Sequence, residues 1–418
     1  MRIQTGKGTI PLMTLIAIWS ISLVVNLPGL AVSPVLGSLD KIFPHTSELE
    51  IQLLTVLPNL LIIPFVLLSG KLSLSSDKIK IVVFALLVYL ASGIAYLFAN
   101  SMMELIVISC FLGMGCGLLI PLAAGLIADT FTGKYRMQQL GIKSGIANIA
   151  LVLATFVVGW LGKGNWHLPF LVYLIPLVPL VLSVFLKNIH QEGKTIATND
   201  VGTTAEAPRQ TTVATNEKVV GGFIVNRLYG LMGVYFFVCY STVIISYYLP
   251  FLMQDDKMSN SSLGTVTALF FLAIFLPGFV LPLIIRTFKQ STAMVATLSM
   301  ALGLILMATG HNVWIMCVAA LLMGFGYGVF QPIIYDKATD TVLSDNKSTL
   351  ALSFVLAVNY LSITLTPFII DFFRDLFGIK GNQFPFILNF VLVLIFGVVV
   401  YIFRRSFVFR MNEQYYQS

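Results

Sequence analysis

The sequence predicts an all-α membrane protein whose twelve transmembrane helices form two pseudo-symmetric bundles of six. Three observations support this fold class. Hydrophobic residues make up 57% of the chain and charged residues only 10%, with a mean hydropathy of +0.92, far outside the range of soluble domains. The apolar residues fall into separate long segments, and one stretch of sequence occurs twice.

Each apolar segment is long enough to cross a hydrocarbon core of about 30 Å. The first follows two basic residues as a signal peptide would, but the internal repeat needs it, so we expect it to be retained. The predicted segments are 11–37, 49–69, 79–99, 102–128, 138–161, 167–187, 223–252, 260–285, 291–310, 313–335, 348–372 and 382–404.

The repeated stretch spans residues 113–148, and its second copy lies 211 positions later, close to half the length of the chain. Both copies join one apolar segment to the next through a charged turn, as expected of two related halves. Eight positions agree without a gap: Gly113/Gly324, Gly115/Gly326, Gly117/Gly328, Pro121/Pro332, Asp129/Asp340, Thr130/Thr341, Arg136/Lys347 and Asn148/Asn359.

The predicted domains are residues 1–187, a polar linker at 188–222, and residues 223–418. If the N-terminus is cytoplasmic, 20 of the 25 Lys and Arg residues lie on that side of the membrane. The positive-inside rule therefore places both termini and the linker in the cytoplasm. The net charge of +7 follows from this topology, so no nucleic-acid partner is predicted.

Several motifs resemble those of the major facilitator superfamily. Asp129-x6-Arg136-x4-Gly141 is similar to the family's inner loop between segments four and five. The stretch Trp166-His167-Leu168-Pro169-Phe170 resembles the opening of segment six in many drug-efflux members. The resemblance implies the family's twelve-helix fold, a monomer, a small-molecule substrate and alternating access.

Three marks of the drug:proton antiporters are altered. The inner loop after segment two has Leu74 where the family has Asp, unless the shifted pair Asp77-Lys78 replaces it. Ser109 stands at the position of an antiporter Arg, and segment five lacks the family's Gly-Pro signature. Proton coupling is therefore an implication of the fold more than of the residues.

Charged residues at the predicted cytoplasmic helix ends are candidates for gating or coupling. A carboxylate and a base at matching positions of the two halves can hold these ends together and separate during transport, although solvated loop charges are the simpler interpretation. We pair Asp129 with Arg136 and Asp340 with Lys347. The full set is Asp77, Lys78, Asp129, Arg136, Asp340, Lys347 and, near the outer side, Asp371.

Polar residues within apolar segments are candidates for substrate binding, because a buried amide in hydrocarbon needs partners. Interhelical hydrogen bonding is the alternative for each. Lys143 either extends to the cytoplasmic surface or meets an anionic substrate. The candidates are Asn26, Asn59, Lys143, Asn148, Tyr240, Gln331 and Asn359.

No catalytic residues, metal ligands or cofactor are predicted, since the sequence lacks a phosphate-binding loop and its four histidines have no ligand spacing. We predict a secondary transporter in a bacterial inner membrane, in contact with lipid, that exports amphipathic or drug-like compounds, with protons as a possible coupling ion. The alternatives are an importer or facilitator of a nutrient or organic anion, and a membrane sensor or scaffold that transports nothing.

Overall fold

The computed structural model describes residues 2–6, 8–28, 42–43, 48–75, 77–161, 165–186, 218–258, 260–379 and 381–411. Helices occur in all twelve predicted segments. We label them α1 Leu12–Ile21, α2 Glu48–Ser75, α3 Lys78–Tyr96, α4 Met102–Thr130, α5 Gly133–Leu161, α6 Leu177–Leu182, α7 Val225–Asp255, α8 Asn260–Phe288, α9 Thr292–Thr309, α10 Val313–Thr339, α11 Ser348–Phe377 and α12 Phe384–Ile402.

Ten stretches of the described chain are long and apolar enough to cross a membrane, and one of them, 262–309, contains both α8 and α9. The first and sixth segments are less regular than predicted. Helix α1 ends at Ile21 and continues as a series of turns. The sixth segment combines α6 with 3₁₀ helices at Leu168–Leu174 and Ser183–Leu186. This segment contains three prolines, Pro169, Pro176 and Pro179. They explain the irregularity, because proline lacks the N–H that a regular helix needs.

The repeated glycines pack α4 and α10 against their neighbours. A Cβ atom on Gly113 would lie 2.6 Å from the carbonyl oxygen of Pro58 on α2, and one on Gly115 would lie 3.1 Å from that of Ala85 on α3. A Cβ atom on Gly326 would lie 2.6 Å from the carbonyl oxygen of Ala296 on α9. Ala85 and Ala296 are themselves 211 positions apart, so the two copies use the same packing.

Contacts between Cα atoms divide the chain into two compact units. Unit 1 contains residues Met1–Arg136, Ala150–Leu228 and Ala338–Tyr360. Unit 2 contains residues Met137–Ile149, Tyr229–Lys337 and Leu361–Ser418. Within α5, residues 137–149 thus belong to unit 2 and both ends to unit 1, whereas the first part of α11 belongs to unit 1. The domain boundaries at 187 and 223 stay a prediction, and most of the linker between them lies outside the described residues.

Two short β-hairpins in unit 1 precede α1 and α7. Strands β1 (Arg2–Gln4) and β2 (Thr9–Pro11) form the first, and β3 (Val219–Val220) and β4 (Phe223–Ile224) form the second. Thr132 N–H donates to the carbonyl of Thr5 (2.9 Å), and Leu343 N–H donates to that of Gly222 (3.0 Å). Because Thr132 and Leu343 are 211 positions apart, each hairpin binds the equivalent loop of its own half.

The glycine packing yields a test of stability. We expect Gly113→Val to lower the free energy of unfolding by about 1–3 kcal/mol, because its side chain would overlap the α2 backbone. The matched control is Gly233→Val on α7, where a Cβ atom meets nothing within 4 Å. Thermal unfolding in detergent measures both, and equal melting temperatures would contradict the packing argument.

Candidate functional site

A cluster of charged residues in unit 1 joins the end of α4 to the starts of α3 and α11. Asp77 caps α3 by accepting a hydrogen bond from Ile79 N–H at 3.0 Å. The next residue, Lys78, places Nζ 2.6 Å from Asp129 Oδ2 and 2.8 Å from Thr349 Oγ1. Lys78 therefore connects three helices through one ammonium group, with its side chain only 15% exposed.

The second ion pair of this cluster links positions 204 residues apart in sequence. Arg136 Nη2 donates to Asp340 Oδ1 at 3.0 Å, and the Arg136 side chain is 2% exposed. Removing one partner of a buried pair costs several kcal/mol because it leaves a desolvated charge, so Arg136 and Asp340 depend on each other at the start of α5.

The predicted pairing of Asp340 with Lys347 is wrong. Lys347 Nζ instead donates to the carbonyl of Gly221 at 2.8 Å and lies 6.0 Å from the ring centroid of Phe223. The first carboxylate of the repeat, Asp129, binds Lys78, and the second, Asp340, binds Arg136 from the first copy. In the second copy, the partner of Asp340 therefore comes from another segment of the chain and not from the nearby Lys347.

Small residues allow α11 to approach α2 and α4 closely within unit 1. A Cβ atom on Gly125 would overlap the side chain of Thr349, and one on Gly70 would overlap that of Ser353. Thr349 and Ser353 are one turn apart on α11 and are both fully buried. The small side chains of this face of α11 therefore pack directly against the glycines of α2 and α4, next to the Lys78 ion pair.

The site in unit 2 is centred on Lys143. Its side chain is 3% exposed, and Nζ lies 5.4 Å from the ring centroid of Tyr335 on α10. Lys143 is ten residues into α5, about 15 Å along the helix. The interpretation that Lys143 extends to the surface does not agree with this burial, and the cation faces an aromatic ring instead.

Tyr335 belongs to a hydrogen-bonded cluster on α7 and α10. The hydroxyls of Tyr235 and Tyr335 are 2.7 Å apart. Gln331 Nε2 lies 3.1 Å from the hydroxyls of Tyr327 and Tyr335 and 3.4 Å from that of Tyr235. Tyr327, Gln331 and Tyr335 follow one another at intervals of four residues, so they form one stripe on α10. We call Lys143, Tyr235, Tyr327, Gln331 and Tyr335 the tyrosine–lysine cluster.

Glycines bring α5 close to α8 within unit 2. A Cβ atom on Gly141 would lie 2.7 Å from Gly278 Cα, and one on Gly145 would overlap the ring of Phe275. The two helices therefore touch through their backbones.

The other predicted site residues occupy varied positions. Asn148 is buried and donates to the carbonyl of Ser144, one turn earlier in α5, at 2.8 Å. Tyr240 is buried on α7. In unit 1, Asn26 lies in the turns after α1, Asn59 on α2 and Asn359 on α11, all half-buried. Asp371 is 66% exposed near the end of α11, 3.7 Å from Arg374.

Sequence reasoning missed several residues that contribute to these clusters. Tyr327, Tyr335 and Thr349 were overlooked because a tyrosine or threonine in an apolar segment gives no signal until its partners are known. Asp336 and Lys337 lie just beyond the predicted segment 313–335 but are buried within α10, at 1% and 5% exposure. Lys337 Nζ donates to the carbonyls of Phe407 and Arg410, both at 2.6 Å.

The two ion pairs Arg136–Asp340 and Arg374–Asp371 form a matched comparison. In double-mutant cycles that replace each Arg by Met and each Asp by Asn, we expect a coupling energy of about 1–3 kcal/mol for Arg136–Asp340, which is largely buried. The exposed pair Arg374–Asp371 should give about 0.5 kcal/mol or less.

Unfolding in detergent micelles with a denaturing detergent measures both cycles. Equal coupling energies would mean that the Arg136–Asp340 contact adds no more stability than a surface pair.

Comparisons with known proteins agree with the fold. The model of the Major Facilitator Superfamily matches residues 12–254 and 231–410. The multidrug transporter protein MdtP of Bacillus subtilis (strain 168) is 30% identical over 147 residues, which cover 35% of this chain and 26% of that protein.

Two solved structures share the fold at low sequence identity. The human organic anion transporter MFSD10 (TETRAN) has a TM-score of 0.69 at 15% identity, covering 94% of this chain and 100% of that one. The proton:xylose symporter XylE, bound to 6-bromo-6-deoxy-D-glucose, has a TM-score of 0.67 at 14% identity, covering 96% and 98%. With the family match over nearly its whole length, the chain is a multi-pass membrane transporter that belongs to the Major Facilitator Superfamily.

Proposed function

We propose that this transporter exports small amphipathic organic compounds by alternating access. The tyrosine–lysine cluster carries the proposal, because it places a few polar groups next to aromatic rings within membrane-spanning helices, the usual composition of a small-molecule site. Export is supported by the partial match to a protein named as a multidrug transporter. The altered antiporter motifs give no independent support for the direction of transport.

The ion pairs of unit 1 supply the gate in this proposal. Lys78–Asp129 and Arg136–Asp340 hold the predicted cytoplasmic ends of α3, α4, α5, α10 and α11 together. An inward-facing state requires these contacts to break. Binding of substrate or protons must therefore favour that state by a free energy similar to the one that the contacts contribute. Asp129 is the more accessible carboxylate, with its side chain 32% exposed, and is our candidate for proton coupling.

A second candidate function is transport of an organic anion as a nutrient or metabolite, in either direction. The observation that favours it is the burial of Lys143 against Tyr335. A role as a sensor or scaffold is the candidate from another class, and purified protein that binds ligand but moves none across liposomes would support it.

The first test is accumulation of lipophilic dyes in a pump-deficient bacterial host that expresses the chain. We expect lower dye accumulation than in the empty-vector host, and a protonophore should abolish the difference if export uses the proton gradient. Asp129→Asn should then uncouple export from the gradient. Unchanged dye levels with altered uptake of an organic anion would contradict drug export and favour the second candidate.

Two lysines on α3 give a matched test of the gate. Lys78→Met removes the contacts to Asp129 and Thr349, and we expect the rate of dye export to fall about tenfold or more, because at least one charge-assisted hydrogen bond is lost. Lys80→Met changes the same residue type at an exposed position of the same helix and should leave the rate unchanged. Equal rates in the two variants would exclude the Lys78 gate.

A further inference from the structure

We infer that the groove between α9 and α12 in unit 2 is a binding site for an anionic phospholipid. One acyl chain lies along the groove, and the phosphodiester of the head group binds the arginines that follow α12, chiefly Arg404 and Arg405. This site is separate from the tyrosine–lysine cluster, so it goes beyond the proposed export function and does not rest on it. An apolar groove, a cation at its end and a folded basic tail carry the inference.

The groove is apolar and runs along two membrane-spanning helices. It has a volume of about 320 Å³, with residues of α9 from Met294 to Ala301 on one side and residues of α12 from Val393 to Tyr401 on the other. Each side is about 10–12 Å long. At Gly397 a Cβ atom would meet Thr297 Cγ2 of the neighbouring helix at 3.5 Å, an ordinary contact. The missing side chain at this position therefore leaves room for an acyl chain between the helices.

The large apolar side chains along the groove are exposed. They are Leu298 on α9 and Leu394 and Val398 on α12. Both helices belong to stretches that are long and apolar enough to cross a membrane. Because the bilayer core contains no water, the hydrocarbon of lipid is the medium available to cover these side chains.

A cation lies at one end of the groove. The guanidinium carbon of Arg404 is 5.1 Å from the ring centroid of Tyr401, which lines the groove in the last turn of α12. Arginine can stack on an aromatic ring and still donate paired hydrogen bonds to a phosphate. Tyrosine at a helix end is typical of the level of the lipid head groups. The Tyr401 ring therefore connects the apolar groove with a group that binds a phosphodiester.

The chain around this end of the groove is basic. Residues 281–302 and 384–411 contain five basic residues and no acidic one. The next acidic residue, Glu413, lies outside the described residues. A basic patch of this kind beside membrane-spanning helices favours an anionic head group over a neutral one. The five residues are all exposed: Arg286, Lys289, Arg404, Arg405 and Arg410.

Contacts of the C-terminal tail keep this patch in a defined place. Lys337 on α10 donates to the carbonyl of Arg410 at 2.6 Å. Gln290, just before α9, donates through Nε2 to the carbonyl of Met411 at 2.8 Å, and its Oε1 accepts from Met411 N–H at 2.9 Å. Met411 is buried. The tail is therefore folded against α10 and the start of α9, and a site that is already ordered loses less free energy when it binds a ligand.

The test is native mass spectrometry of the purified full-length protein in detergent. It is mixed with equal amounts of phosphatidylglycerol and phosphatidylcholine that carry the same acyl chains, and bound lipids are counted by mass. We expect phosphatidylglycerol to be retained in preference to phosphatidylcholine. Equal retention of the two lipids would overturn the inference without any variant.

Charge variants test the head-group contact. In Arg404→Gln/Arg405→Gln, we expect the number of phosphatidylglycerol molecules retained in preference to phosphatidylcholine to fall by one. The affinity of this site should drop about 30-fold, at about fivefold for each arginine. The matched control is Lys257→Gln, which removes an exposed charge outside the patch and should leave the number unchanged. An unchanged number in the double variant would overturn the assignment to these arginines.

A groove variant tests the acyl-chain contact. Gly397→Leu fills the groove and leaves both arginines in place, so the number of retained phosphatidylglycerol molecules should again fall by one. Gly233→Leu on α7 is the control, because a Cβ atom there meets nothing within 4 Å. Unchanged phosphatidylglycerol retention in Gly397→Leu would mean that the arginines bind a phosphate group without the groove, and would overturn the lipid site.

A second copy of the chain is the competing occupant of this groove. Light scattering in the same detergent measures the oligomeric state, and thermal unfolding checks that each variant is folded. A dimer that Gly397→Leu converts to a monomer, with the lipid counts unchanged, would overturn the lipid site and assign the groove to an interface between copies.

Discussion

Backbone-to-backbone packing at the repeated glycines is the constraint on which the rest of the structure depends. Because Gly113, Gly115 and Gly117 have no side chains, α4 lies directly against α2 and α3, and α10 lies in the same way against α8 and α9. Lipid provides no hydrophobic force between helices, so close packing has to supply the attraction. The positions of Asp129 and Asp340 at the ends of α4 and α10 follow from this packing.

A proline follows each glycine triplet and has two consequences. Pro121 and Pro332 lack the N–H that would bond to the carbonyls of Gly117 and Gly328, so each helix is free to bend there. In α10 this point lies between Gln331 and Tyr335, inside the tyrosine–lysine cluster. A change in the bend of α10 would therefore alter the spacing of the hydroxyls that surround Gln331.

The fold and much of the scaffold were predictable because they depend on local sequence. Hydropathy located the helices, and identical residues at a fixed offset revealed the two copies, whose glycines make equivalent contacts. The sites were less predictable because they depend on contacts between residues that are far apart in sequence. Lys78 was a candidate, yet its bond to Thr349, 271 residues away, has no sequence signal. Tyr335 could be recognised as a site residue only from its contact with Lys143, and hydropathy does not indicate that Lys143 is buried.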